Sequence, residues 1–197
     1  GDIKMESLST DVIGTITPIY LRGQGQMNAT SNRLVKIGNT TFVNNSARGL
    51  TLTIINATTH AHISSTNYDT LGNATIANNL ATAMEGLTDA QIGVLTSYDA
   101  FERDWNGNLK IAALKLGLTR LAGVVLQESG NRHPYVGIFY GAGATNIKGN
   151  HVVEVLKDNV ASAAYATIAS FLMDDSFMGQ SLTNSLYGNS SATSPTV

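Results

Sequence analysis

The segment Leu50-Thr51-Leu52-Thr53-Ile54-Ile55-Asn56 alternates apolar and polar residues, most of them β-branched, and that period of two commits it to a strand. The period then changes. Ile76, Leu80, Ala83, Met84 and Leu87 recur at three- and four-residue spacing, which predicts an amphipathic helix with Asn73 as its N-cap and an end near Gly86. A chain that switches between these periods must interleave strands and helices, and its fold class is α/β. His60 to Thr66 alternates again and pairs as a hairpin with the first strand across Asn56-Ala57-Thr58-Thr59. Ile92 to Ser97 reads as a short buried strand. Leu109, Ala112, Ala113, Leu116 and Leu118 predict a second helix, with Lys110 and Lys115 on its outer face. Further strands are expected at Val124-Val125-Leu126, at Tyr135 to Tyr140 and at His151 to Val155.

These elements occupy the middle of three zones. Residues 1–46 are polar and Gly/Asn/Thr-rich with short apolar alternations such as Ile16-Thr17-Pro18-Ile19-Tyr20-Leu21, and they predict a lead-in arm of short strands and turns rather than a core. Residues 47–157 form one α/β domain with a single mixed sheet and two main helices. Residues 158–197 are a C-terminal extension and polar tail. Within it, residues 160–172 fit a helix through Val160, Ala164, Ile168 and Phe171, and fit a strand through the Ala/Ser/Thr alternation. From Ser176 onward the chain has little to bury.

Charge narrows the function classes. Only 13% of the 197 residues are Asp, Glu, Lys or Arg, against a usual value of about 25%. Asn, Thr, Ser and Gly take their place, which suits a surface held in an assembly or exposed to external media. A net charge of -2 offers no basic field to a phosphate backbone, so no nucleic-acid partner is expected. The absence of cysteine excludes a thiolate zinc site. The longest apolar runs are too short to span a bilayer, so no membrane insertion is expected. Gly1-Asp2-Ile3-Lys4 lacks an apolar h-region, so no signal peptide is expected there, and Gly1 in place of Met suggests a processed product, a tag scar or an excised domain.

Short motifs in the middle zone come in an ordered series. Arg48-Gly49-Leu50 leads into the first strand, Asn56-x-x-Thr59 follows it, and Tyr68-Asp69-Thr70 comes after the second. Ser97-Tyr98-Asp99 follows the central strand, Leu116-Gly117 ends the second helix, and Gly137-Ile138-Phe139, Lys148-Gly149 and Val152-Val153-Glu154-Val155 close the series. In this order residues 47–157 resemble the GG domain, also called the interleukin-like EMT inducer domain. The cytokine-like members of that family carry disulfides, absent here. Where they read Gly-Phe-Arg-Asp, this chain has Gly130-Asn131-Arg132-His133, so only the arginine is recovered. Similar domains occur in the carbohydrate-holding stem of a sugar transferase acting on O-mannose glycans and in phage tail-fibre proteins. The low charge and missing cysteines look more like the phage versions.

The candidate site follows from position and from that resemblance. Asp99 lies just past the carboxyl end of a central strand, where α/β sheets commonly bind ligands, and Arg132 lies in a loop between later strands. On one edge, a carboxylate and a guanidinium fork would grip sugar hydroxyls; the bland alternative is an ion pair that merely bridges two loops. The resemblance matches these positions to the ligand-holding Asp and Arg of the sugar-binding stem domain. Arg48 is a third candidate. Trp105, the only tryptophan, sits in a turn-prone loop and is either a stacking platform for a sugar or a cover for the domain edge.

Other patterns carry less. Asp99, Glu102, Asp104, Asn106 and Asn108 form an oxygen-rich run, but without EF-hand spacing. His60 and His62 lie two apart on a strand with no third ligand placed beside them, so solvated histidines are expected and no metal. Gly141-Ala142-Gly143-Ala144 has neither dinucleotide nor phosphate-loop spacing, and nothing resembles a nucleophile elbow or His-Glu-x-x-His. Asn-x-Ser/Thr sequons at Asn28, Asn39, Asn44, Asn56, Asn73 and Asn189 arise readily in so Asn- and Thr-rich a chain.

The expectation from sequence is therefore a non-catalytic module without cofactor, extracellular or in a virion, such as a structural or receptor-binding part of a phage tail or fibre. Its partners would be copies of itself, other virion proteins or a host surface glycan. The alternative is a glycan-binding module of a secreted or enzyme-attached protein. A glycosidase would need two carboxylates facing across a cleft, and acids are sparse.

Overall fold

A computed structural model describes residues 16–28, 31–125, 132–141, 152–160, 165–173 and 176–178. The alternating residues at its start form three strands, Ile16–Gln24 (β1), Arg33–Ile37 (β2) and Thr40–Asn45 (β3). Gly49–Asn56 (β4) and His62–Tyr68 (β5) follow as the expected hairpin, then the helix Ala74–Glu85 (α1) and the strand Gln91–Tyr98 (β6). The second expected helix is Asn108–Lys115 (α2), and a third, Thr119–Val125 (α3), comes directly after it. Tyr135–Tyr140 (β7), Val153–Leu156 (β8), Tyr165–Met173 (β9) and Ser176–Met178 (β10) complete the described elements.

The strands make two five-stranded sheets, in the orders β10-β9-β1-β2-β3 and β5-β4-β6-β7-β8. The fold class is α/β as expected, with two main helices, but every described pairing is antiparallel rather than mixed. The central sheet, β5-β4-β6-β7-β8, is buried on both faces, which follows from its sequence. Leu50, Leu52, Leu95 and Phe139 on one face pack with Leu80, Met84, Leu109, Leu116 and Leu121 of the helices. Ile55, Ile92, Val94, Val136 and Ile138 on the other face pack with Ile19, Leu21, Val35, Ile37 and Ile168 of the second sheet. Each such buried Leu, Ile or Val is worth roughly 1.5–3 kcal/mol relative to exposure. The result is three layers: helices, central sheet, second sheet.

Residues 16–45 therefore differ from the expected lead-in arm. They are short strands, but Leu21 and Val35 are fully buried and belong to the core. The two sheets come so close that a Cβ on Gly23 would lie 1.8 Å from the Tyr135 carbonyl oxygen. Residues 165–173 take the strand alternative, paired with β1 along its whole length.

The strand expected at Val124-Val125-Leu126 is corrected as well: Val124 and Val125 end α3, and Leu126 lies outside the described residues. Gly117, at φ 82°, closes α2 with Leu118 N–H donating to Ala113 O at 2.8 Å, which lets a new helix begin at once. Glu154 of β8 then accepts the free N–H groups of Arg120 (3.0 Å) and Leu121 (2.9 Å) and the Tyr135 hydroxyl (2.8 Å). By contrast α1 is capped locally as expected, Asn73 Oδ1 accepting from Thr75 N–H at 2.7 Å.

One charge lies deep between the sheets. Arg33 is fully buried, and its Nη1 donates to Thr51 Oγ1 at 2.6 Å and Thr96 O at 2.9 Å. Its Nε and Nη2 have no hydrogen-bond acceptor. Burial lowers its pKa to about 9.

Candidate functional site

The backbone turns sharply where the central strand ends. Asp99, directly after β6, has φ 56°, and Arg132, ahead of β7, has φ 51°. Non-glycine residues avoid this left-handed region, Asp less than most. The two side chains meet beyond the end of the central strand, Arg132 Nη1 standing 3.7 Å from Asp99 Oδ1, with the side chains 33% and 30% exposed. At that distance the pair attracts but forms no hydrogen bond, and Oδ1 is enclosed without an acceptor's partner.

Arg48, just before β4, joins them. Its Nε and Nη2 donate to the two carboxylate oxygens of Asp69 at 3.0 and 2.7 Å. Those hydrogen bonds, with the Asp69 charge, hold the Arg48 guanidinium above its ordinary value, and Asp99 adds a smaller pull. Asp69 also accepts the Gly72 N–H at 3.3 Å. Asp99 thus meets Arg132, while Arg48 is paired with Asp69 and feels the Asp99 charge more weakly. The place of Asp69 in Tyr68-Asp69-Thr70 was visible in sequence, but nothing local marked it as Arg48's partner. Two cations and two anions within one edge leave it electrically balanced.

Beneath this edge a second layer fastens the loops. Glu102 is fully buried; it accepts the Phe101 N–H at 3.0 Å, the His133 N–H, and meets His133 Nδ1 at 3.1 Å. Thr70 Oγ1 donates to Phe101 O at 2.8 Å, and Trp105 Nε1 donates to Thr70 O at 2.8 Å. The loop after β6, the turn after β5 and the loop before β7 are therefore pinned to one another by groups other than the Asp99–Arg132 pair.

Trp105 is a poorer candidate than its sequence suggests. Its indole N–H is committed to Thr70, and the Arg103 guanidinium lies 3.4 Å from the ring centroid, covering one face. It braces the margin of the site. The oxygen-rich run is likewise dispersed: Glu102 is spent on His133, Asp104 Oδ1 accepts the Gly107 N–H at 2.7 Å, and Asn106 Oδ1 accepts the Asn108 N–H at 3.2 Å. His60 lies in the turn before β5 rather than on the strand, at φ 60°, with Nδ1 2.8 Å from Thr17 Oγ1, while His62 stacks on Phe42. Among the described residues no group of three or more His, Asp or Glu could hold a metal ion, and no helix is long and apolar enough to cross a membrane. Most of the Gly141-to-Ala144 loop lies outside the described residues.

Compared with known proteins, the chain matches no family model and no curated protein.

Proposed function

We propose that this chain is a non-catalytic recognition module of the GG-domain kind, and that the Asp99–Arg132 edge holds a neutral carbohydrate. The observation that supports this most is the meeting of two partly exposed, oppositely charged side chains, each on a strained left-handed residue. Strain of about 1–3 kcal/mol per residue persists only where the surroundings enforce it, and it gathers at ligand sites. A mere loop bridge does not need it, because Glu102 with His133 and Thr70 with Phe101 already join these loops. The balance of charge favours hydroxyl groups, which both donate and accept, over an ionic ligand.

In this reading the module works outside a cytoplasm, as a receptor-binding or structural part of a phage tail or fibre. The sparse charge and the phage-like departures from the cytokine-like members support that setting. One observation favours the alternative, a glycan-binding module of a secreted or enzyme-attached protein. The strands of residues 16–45 and 165–173 pack on their own domain and are not arms awaiting neighbouring chains.

A glycan-array experiment tests the site, with the Asp99→Ala/Arg132→Ala double variant alongside. Saturable binding by the wild type, lost in a variant with unchanged unfolding temperature, is the expected result. Silence of the wild type across a broad array, or equal binding by both proteins, removes carbohydrate from this edge.

A further inference from the structure

The contact of Arg132 with Asp99, at 3.7 Å, is too long to hold the turn that presents the arginine. The peptide joining Arg132 to His133 is held from two sides instead. Its N–H donates to the buried carboxylate of Glu102. Its carbonyl lies against Gly25, just past the end of β1: a Cβ on Gly25 would stand 2.4 Å from Arg132 O and 2.8 Å from Pro134 Cδ. Gly25 is buried, and it is this close approach that requires a residue without a side chain.

The next two peptides are held by one hydroxyl. Ser97, fully buried and two residues before Asp99, accepts the Tyr135 N–H on Oγ at 2.8 Å. Its own hydrogen faces two carbonyl oxygens, His133 O at 3.3 Å and Gln24 O at 3.2 Å. The register of β6 with β7 runs as far as Thr96 opposite Val136, and Ser97 continues it with a side chain. One oxygen therefore ties the strand that leads to Asp99, the residues that follow Arg132 and the last residue of β1.

We propose that Ser97 and Gly25 are positioning residues for Arg132, so that the exit of β1, in the second sheet, is part of the binding edge. This rests on the reading of that edge as a ligand site. A left-handed arginine relaxes unless its surroundings enforce the turn, and a gripping group serves only when held within about 0.5 Å of its place. Glu102 supplies one side of the clamp. Gly25 supplies the other, and Ser97 fastens it, through a sheet that lies outside residues 47–157. The stretch that resembles a known domain does not complete the site by itself.

The test compares three variants of the full chain. Ser97→Ala deletes the hydroxyl, Gly25→Ala sets a methyl against Arg132 O, and Val35→Ala loosens the core beneath the same second sheet without touching the turn. The first readout is the Arg132 Nε–H signal in a nitrogen–proton NMR spectrum, identified by its loss in Arg132→Ala. It is expected to move in the first two variants and to keep its place in Val35→Ala. Glycan affinity is expected to fall about tenfold in the first two, the worth of one hydrogen bond from a charged donor, and to hold in the third. An Arg132 signal unmoved in either folded positioning variant overturns the proposal, as does one that moves as far in Val35→Ala. One variant removes a bond and the other adds bulk, so either alone decides the matter if its companion does not fold. A wild type that binds no glycan, with an Arg132 signal that still moves, removes the ligand while the positioning stands.

Discussion

Replacing Arg33 with methionine should stabilise the protein, although it deletes hydrogen bonds. The guanidinium is fully buried with two nitrogens unpaired, and its pKa falls to about 9. Held that far below an ordinary guanidinium, at about 1.36 kcal/mol per pKa unit, the charge costs about 5 kcal/mol to keep inside. The substitution forfeits the bonds to Thr51 Oγ1 and Thr96 O, worth about 1.5 kcal/mol each for a charged donor. It also loses the contact with the Tyr98 ring, 5.9 Å away, worth about 0.5–1 kcal/mol. The difference leaves a gain of about 1 kcal/mol at neutral pH, read as a shifted urea midpoint at unchanged slope. The pH dependence has a definite sign. Below about 9 the folded and unfolded arginines are both charged and the full penalty applies. Above it the folded state gives up its proton first, so the advantage of Arg33→Met should shrink as pH rises from about 9. A variant less stable than the wild type at pH 7 would refute the reasoning, because it would mean the buried fork is satisfied.

Three further outcomes follow from the same contacts. Glu154→Ala removes the cap of α3 and the partner of the Tyr135 hydroxyl together, so a loss of about 2–4 kcal/mol is expected; hydrogen exchange should show Arg120 and Leu121 unprotected first. Gly93→Ala places a methyl 2.4 Å from the Phe139 ring, and overpacking of about 1–3 kcal/mol should appear in thermal unfolding. Trp105→Phe gives up the bond to Thr70 O and should cost about 1 kcal/mol while glycan binding survives; loss of binding in a folded variant would return Trp105 to the site.

What could be read from sequence was what is decided locally. The helix at Ala74–Glu85 carries its own cap in Asn73 and its own apolar stripe, and the hairpin of β4 and β5 carries its own turn, in which Asn56 Oδ1 accepts the N–H groups of Thr58 and Thr59. The third helix was read as a strand because its cap, Glu154, is supplied from β8. Residues 16–45 were legible as strands but not as core, since Leu21 and Val35 pack on Val94 and Val136, residues that no local pattern links to them. The Asp99–Arg132 edge was legible from strand position and motif order. In sequence Glu102 is only one member of an oxygen-rich run, because nothing in Phe101-Glu102-Arg103 announces that its carboxylate is buried against a loop that comes later.

The pairing of β1 with β9, from Ile16 opposite Met173 to Gln24 opposite Tyr165, also sets the order of events in folding. The hairpin of β4 and β5 closes over a few residues, whereas this contact must close a loop spanning most of the chain before it returns any energy. Contacts so distant in sequence slow folding. During synthesis β1 emerges early and waits for β9, and until Ala166, Ile168 and Leu172 arrive the layer over Ile92, Val94, Val136 and Ile138 is incomplete. That waiting state is the one most exposed to aggregation. Substitutions along β9 should therefore change yield and refolding rate more than their effect on equilibrium stability suggests.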